Sequence, residues 1–165
     1  MDSGMIDFLL KYNTNAPRYT SYPPANLFHA AKDKAQIERV WRKSNELKPQ
    51  NVSFYFHIPF CAKRCLFCGC TSELLPTVEF RERYFRAMFR EMDEKLPWID
   101  SQRPVTQVHF GGGTPTSVPY SYLEAILEKL RGRFRFSPHA EIAIECNPAS
   151  IDESRLKELA RIGFN

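Results

Sequence analysis

The sequence predicts an α/β fold in which three successive strand-loop-helix units form a parallel sheet. Two observations support this prediction. Three runs rich in β-branched, aromatic or other apolar residues each precede an amphipathic helical pattern. Each run also ends in a chemically unusual loop: first cysteines, then glycines, then a glutamate. Parallel strands joined by helices end at one edge of the sheet, where such folds bind ligands, so we expect one shared site there.

The composition is that of an ordinary globular protein. Of 165 residues, 43% are hydrophobic and 25% are charged, and the net charge is +4. The basic residues are scattered through predicted helices, so we expect no nucleic-acid partner. No apolar run is long enough to cross a membrane, and the N-terminus lacks the basic start of a secretory signal. We expect a cytoplasmic monomer without a membrane partner.

Residues 1–50 are expected to form an N-terminal extension with one helix. Residues 1–33 show weak periodicity, and the stretch PRYTSYPP, Pro17–Pro24, cannot be helical throughout. This strap either packs its tyrosines on the surface or lies across the mouth of a site, with Arg18 gripping a carboxylate. A helix is predicted over Lys34–Leu47. Its expected apolar side consists of Ile37, Val40, Trp41 and Leu47.

The first strand-helix unit begins with the run Val52–Ile58, which Pro59 ends. The clearest helical pattern follows over Val78–Leu96, and Pro97 ends it. Its apolar residues recur at spacings of three and four, as in a helix packed on a core. The residues expected to face inward are Tyr84, Phe85, Met88, Phe89, Met92 and Leu96.

Two further units follow in the same order. Their predicted elements are the strand Val105–Phe110, the helix Pro119–Phe134, the strand Ala140–Glu145 and the helix Asp152–Ile162. Asp152 can cap the start of the last helix, and Gly163 can cap its end. The residues expected to face inward are Tyr122, Leu123, Ile126, Leu127 and Leu130 on the first helix, and Leu156, Leu159 and Ile162 on the second.

Four of the five cysteines lie within the ten residues from Cys61 to Cys70. Thiols so crowded could hardly cross-link distant parts of a core, which favours a metal site in a reducing compartment. Cys61, Cys65 and Cys68 follow the pattern C-x-x-x-C-x-x-C, which suits an iron–sulfur cluster with one open iron. Zinc is the alternative, with Cys70 or His57 as its fourth ligand.

The other two loops each allow two interpretations. Gly111–Gly113 either forms a tight turn or leaves the backbone bare for close approach to a ligand. Glu145 either faces solvent or accepts hydrogen bonds from ribose hydroxyls. Cys146, the next residue, is expected to be a buried structural thiol.

These motifs resemble those of a known superfamily. The cysteine spacing after a strand, with Phe67 just before the last cysteine, is similar to that of radical S-adenosylmethionine (SAM) enzymes. The strings PRYTSYPP, YFHIPFC, CGC and HFGGGTPT, with a strand ending in Glu145, resemble the oxygen-independent coproporphyrinogen III dehydrogenase family. The resemblance implies a partial barrel of parallel βα units. It matches residues 51–165 to the first three units, so we expect this chain alone to be inactive.

The resemblance also implies roles for the matched residues. The ligands of a 4Fe–4S cluster would be Cys61, Cys65 and Cys68. The contacts to a SAM molecule on the open iron would be Tyr55, Gly112 and Glu145. The contacts to a second SAM molecule would be Phe67, Gly113 and Thr114. Cys70 matches a family cysteine that is not a ligand and is a candidate catalytic residue, and Arg18 is a candidate substrate contact.

The implied reaction is a reductive radical oxidation in haem biosynthesis. An electron donor such as a flavodoxin or ferredoxin reduces the cluster, which splits SAM into methionine and a 5′-deoxyadenosyl radical. The radical removes a hydrogen from a propionate of coproporphyrinogen III, and loss of carbon dioxide and one further electron leaves a vinyl group, giving protoporphyrinogen IX. Haem-binding chaperones and radical SAM methyltransferases of the same superfamily are the alternatives. Cys70 disfavours both alternatives, and PRYTSYPP further separates this sequence from the chaperones.

Overall fold

The computed structural model describes residues 3–13, 27–30 and 33–165. Contacts divide the chain into two compact units, Met1–Ile37 and Glu38–Asn165. The elements in chain order are α1 (Ser3–Tyr12), α2 (Lys34–Ser44), β1 (Val52–Ile58), β2 (Phe60–Cys61), β3 (Glu73–Leu74), α3 (Val78–Lys95), β4 (Val105–Gly112), α4 (Tyr120–Arg131), β5 (Phe136–Ile144) and α5 (Glu153–Ile162). The strap Pro17–Pro24, with Arg18, lies outside the described residues. The expected extension over residues 1–50 stays a prediction.

The three long strands form one parallel sheet in the order β1-β4-β5. Ile58 pairs with Gly112, and Phe110 pairs with Ile144. The strands therefore end at the same edge, which confirms the predicted α/β architecture and the convergence of the three loops. Over the described ranges, no helix is long and apolar enough to span a bilayer.

Local signals in the sequence set the ends of the helices. The Thr77 hydroxyl accepts a hydrogen bond from the Phe80 amide and starts α3. At α5, Asp152 accepts from the Arg155 amide, and Gly163 ends the helix with a φ of 111°. A short 3-10 helix, Leu96–Trp98, carries the chain past Pro97.

Side chains alternate between two faces along the sheet. One face is apolar and belongs to the same buried cluster as residues of α3, α4 and α5. Its strand residues include Phe56, Ile58, Val108, Phe110 and Ile142. The other face, which we call the polar face, carries Tyr55, His57, Gln107, His109 and Glu141, none of them buried.

Several sequence-based expectations were wrong in detail. Helix α1 was missed, because weak periodicity concealed it. Helix α2 ends at Ser44, because Asn45 leaves the helix to donate to the Trp98 carbonyl and to accept from the Asp100 amide. Four side chains expected to face inward are instead at least 37% exposed. They are Ile37, Val40, Leu47 and Leu156.

Candidate cofactor site at the carboxyl edge of the sheet

The cysteine loop is closed at its base by a two-stranded parallel ladder. Phe60 pairs with Glu73, and Cys61 pairs with Leu74. The Glu73 amide donates to the Pro59 carbonyl at 2.7 Å. Residues 62–72 therefore form a loop whose two ends meet. Sequence analysis missed β2 and β3 because two-residue strands give no detectable alternation.

Two side chains also brace the returning arm of this loop. Arg64 donates to the Ser72 carbonyl at 2.9 Å, and His57 Nε2 lies 2.8 Å from the Thr71 carbonyl. A carbonyl oxygen only accepts, so His57 Nε2 carries its proton. The Tyr55 hydroxyl, 3.2 Å from His57 Nδ1, then donates to the other ring nitrogen. Both nitrogens of His57 are engaged, which argues against His57 as a zinc ligand.

The predicted cluster ligands differ in burial. All five cysteines, each within the described residues, are free. Cys61 is buried, Cys68 is half-buried and Cys65 is exposed. Thr114 Oγ1 donates to the Cys61 sulfur at 3.6 Å. A hydrogen bond from the Cys70 backbone, aided by the Ser72 hydroxyl, lowers the pKa of Cys68. Cys68 in turn raises the pKa of Cys70 by hydrogen bonding and charge.

These residues fit an iron–sulfur cluster by the chemistry of their donors. Cys61 lies in the ladder at the base of the loop, and Cys65 and Cys68 lie on the loop itself. All three thiols are free, and soft thiolates are the ligands such clusters take. Within the described ranges, no three metal-binding side chains already surround one point. Leu66 and Phe67 are 106% and 92% exposed, so the loop presents apolar side chains outward. Phe67 is not packed against Gly113 or Thr114 in this state.

The glycine run extends β4 further than predicted, to Gly112. Beyond it, the Gly113 amide donates to the Ile58 carbonyl and the Thr114 amide to the Phe60 carbonyl, each at 2.9 Å. A Cβ at Gly113 would lie 2.8 Å from the Cys61 sulfur. The glycine loop therefore packs directly on the buried cysteine, and Gly113 and Thr114 both reach it.

The first two glycines make room for polar side chains. A Cβ at Gly111 would lie 2.8 Å from Glu145 Oε1 and 2.9 Å from the Tyr55 hydroxyl. At Gly112, φ is +121° and a Cβ would lie 2.8 Å from His57. A side chain at any of the three glycines would collide with a neighbouring residue. A tight turn alone therefore does not explain why all three positions are glycine.

Glu145 lies where the three loops meet. Its Oε2 accepts from the Gly112 amide at 3.0 Å, and its Oε1 lies 3.3 Å from His109 Nε2. Partial burial raises the pKa of Tyr55, and the Glu145 carboxylate adds to this effect. The structure therefore brings together Tyr55, Gly112 and Glu145, the three predicted contacts to one SAM molecule.

The expectation for Cys146 was wrong, and two residues near the site were not singled out from the sequence. Cys146 is exposed, so the expectation of a buried structural thiol was wrong. It lies two residues beyond the last residue of β5 and has left the alternation of the sheet. No site role was predicted for His109, and Gly111 was predicted only as part of the glycine run. The signal for His109 was present, because it lies two residues after Gln107 in a strand whose alternate positions are polar.

The comparisons with known proteins place these features in a family. Residues 55–165 match the radical SAM superfamily. An oxygen-independent coproporphyrinogen III oxidase from Mannheimia haemolytica is 38% identical over 87% of this chain and 95% of its own length. The chain belongs to the radical SAM superfamily and, within it, to the oxygen-independent coproporphyrinogen III oxidase family.

Other members of the family are longer. The oxygen-independent coproporphyrinogen III oxidase of Synechocystis sp. is 37% identical, and the match covers 96% of this chain and 34% of that protein. The solved coproporphyrinogen III oxidase of Escherichia coli, described as a radical SAM enzyme, superposes with a TM-score of 0.80 at 34% identity. That match covers 96% of this chain and 34% of that chain. The chain thus spans about a third of these relatives.

Proposed function

We propose that the protein carries out the oxygen-independent oxidative decarboxylation of coproporphyrinogen III propionates to vinyl groups in haem biosynthesis. One observation carries the proposal. The cysteine loop, the glycine loop and Glu145 converge at one edge of the sheet, with Gly112 donating to Glu145 and Gly113 packed on Cys61. The names of the family members support the same substrate.

In this proposal, Cys61, Cys65 and Cys68 hold a 4Fe–4S cluster, and a SAM molecule binds beside it. When bound, these cofactors supply one-electron reduction and hydrogen abstraction. Cys61 is the fixed ligand, because it is buried beneath Thr114 and Gly113. Cys65 and Cys68 lie on the exposed part of the loop, where they can adjust as the cluster is inserted.

The end of the polar face nearest the loops, where Tyr55 and Glu145 lie beside Gly112, binds the adenosyl part of SAM. Glu145 accepts hydrogen bonds from the ribose hydroxyls, since half of its side chain is exposed. Gly111 and Gly112 carry no side chain that would block this approach. Tyr55 lies beside them and adds an aromatic surface and a hydroxyl.

The remaining assignments follow the family pattern. Phe67, Gly113 and Thr114 contact a second SAM molecule, to which the exposed ring of Phe67 is accessible. Cys70 takes part in turnover without binding the cluster. Arg18 contacts the substrate.

We propose a small acidic electron carrier, such as a flavodoxin or ferredoxin, as the redox partner. Lys63 and Arg64 give the cysteine loop positive charge, and Lys63 is exposed. Five free thiols suit a reducing compartment, so we place the protein in the cytoplasm. We also propose that it is a monomer.

The test is anaerobic reconstitution with iron and sulfide, followed by assay of the intact natural protein with SAM, a reductant and coproporphyrinogen III. We expect a broad visible absorbance, formation of methionine and 5′-deoxyadenosine, and a product that has lost carbon dioxide and two hydrogens for each propionate converted. Haem binding without decarboxylation would indicate a chaperone. Transfer of the SAM methyl group would indicate a methyltransferase.

Single-cysteine variants separate ligands from neighbours. Replacing Cys61, Cys65 or Cys68 by Ala should abolish the visible absorbance of the reconstituted protein. Cys70→Ala is the matched control, since it lies in the same loop, and it should keep the absorbance while lowering turnover. A normal cluster spectrum in any of the first three variants contradicts the ligand assignment.

A further inference from the structure

We propose that His109 is a positioning residue that fixes the Glu145 carboxylate for recognition of two neighbouring hydroxyl groups. The inference rests on the proposed function, in which those hydroxyls belong to the ribose of SAM. It concerns a residue on β4 that lies outside the cysteine motif and two residues before the glycine loop begins.

Glu145 is held at its backbone and at both carboxylate oxygens. Its amide donates to the Phe110 carbonyl at 2.9 Å, which ties the residue to β4. The Gly112 amide donates to Oε2 at 3.0 Å, and His109 Nε2 lies 3.3 Å from Oε1. A carboxylate only accepts, so Nε2 is the protonated nitrogen of His109.

This pair of donors leaves a defined acceptor surface. An ionised carboxylate has about four lone-pair sites, of which Gly112 and His109 use two. One site therefore stays on each oxygen, which matches a pair of adjacent hydroxyl donors. Half of the Glu145 side chain is exposed, so without a second tether it would lose rotamer freedom on binding. His109 removes that cost in advance.

The orientation of His109 is itself set by its neighbour on β1. The rings of Tyr55 and His109 stack with centroids 5.8 Å apart and an angle of 11° between their planes. Tyr55 is in turn hydrogen-bonded to His57 at 3.2 Å. The imidazole plane is thus fixed by stacking, and its Nε2–H points at Glu145.

The neighbouring pair on the same two strands provides a contrast. Gln107 and Glu141 lie on the polar face, and Gln107 Nε2 donates to Glu141 Oε1 at 2.9 Å. Gln107 pairs directly with Glu141, whereas His109 pairs with Ala143 and reaches Glu145 two residues further on, nearer the edge where the loops converge. Gln107→Leu is accordingly a matched control that leaves the SAM site untouched.

The experiment measures SAM affinity by anaerobic calorimetry on the reconstituted protein. His109→Phe keeps an aromatic ring against Tyr55 and removes the donor, and we expect it to weaken binding by roughly two- to tenfold. His109→Gln keeps a donor and removes the ring, and it should recover part of that loss. Gln107→Leu should bind SAM like the wild type. Wild-type affinity in His109→Phe overturns the proposal.

Two further measurements separate positioning from a general structural effect. In a Glu145→Gln background, His109→Phe should cause no additional loss, because the two residues act together. A SAM analogue lacking both ribose hydroxyls should bind the wild type and His109→Phe equally. Additive losses, or an equal loss with that analogue, show that His109 acts through the fold alone.

The outcome for Glu145→Gln tests the underlying assignment separately. If this variant binds SAM normally, the proposed SAM contact is wrong, and the role of His109 falls with it. If Glu145→Gln binds weakly while His109→Phe binds normally, only the positioning role is wrong. Thermal midpoints should confirm that each variant is folded, and His109→Gln serves if His109→Phe does not fold.

Discussion

The two faces of the central sheet come from the same three strands but have opposite chemistry. Phe110 is fully buried on one face, where it stacks with Phe56 at 5.2 Å and meets Phe164 at 5.4 Å. His109, the residue before it, lies on the other face and meets Glu145. A single step along the chain therefore separates the core from the candidate site.

This difference shows how a small parallel sheet can serve two purposes. Parallel strands are usually covered on both faces and are apolar throughout. Here the strands alternate, so the apolar face provides stability and the polar face remains available for cofactors. Changes on the apolar face should lower stability, whereas changes at the end of the polar face nearest the loops should lower ligand affinity.

The largest expected effect is on the apolar face. Phe110→Ala removes a fully buried ring and should lower the free energy of unfolding by about 3–5 kcal/mol. Urea unfolding of the cluster-free protein measures this loss. A loss under about 1 kcal/mol would mean that the apolar face does not hold the sheet together.

Gly112 lies at the end of β4, where one substitution should lower both stability and SAM affinity. Its φ is +121°, and a Cβ there would lie 2.8 Å from the His57 ring. Gly112→Ala should therefore cost about 1–3 kcal/mol of stability through backbone strain and, by displacing His57, also weaken SAM binding. Unfolding and calorimetry on one preparation measure both effects. Gly69→Ala is the control, since a Cβ there meets nothing within 4 Å.

Glu145→Gln should affect affinity and leave stability nearly unchanged. A hydrogen bond to a charged acceptor contributes about 1.5–3 kcal/mol, so SAM binding should weaken roughly ten- to a hundredfold. Glu141→Gln is the matched control, since Glu141 lies in β5, four residues before Glu145, and accepts a hydrogen bond from Gln107. Equal SAM affinities for wild type and both variants would remove Glu145 from the site.

The smallest effect on stability should come from Gln107, which lies on the polar face away from the loops. Gln107→Ala removes one exposed hydrogen bond to Glu141 and should change stability by at most about 0.5 kcal/mol. Thermal unfolding measures this change. A loss above about 1 kcal/mol would show that the polar face contributes to stability as well.

The regular elements could largely be predicted from sequence. The predicted bounds of β1 agree with the structure, because a run rich in aromatic and β-branched residues continues up to Pro59. The inward face of α4 was mostly right, since Leu123, Ile126, Leu127 and Leu130 are fully buried. These features depend on local periodicity, which a single sequence displays.

The details of the site could be predicted less well. The convergence of the loops followed from topology, but the contacts of His109 and Gly111 depend on register between strands, which no local pattern contains. Cys146 was misplaced because its exposure depends on where β5 ends. The base of the cysteine loop was missed because β2 and β3 are too short to detect.

That base has a consequence for how the protein is assembled. In zinc fingers, folding and metal binding are one event, because nothing else holds the ligands. Here the backbone ladder of β2 and β3 draws the two ends of the loop together, so this part of the loop-closure entropy is spent during folding. The ends of the loop can therefore meet before any metal is bound, and the metal has only the remaining residues of the loop to order.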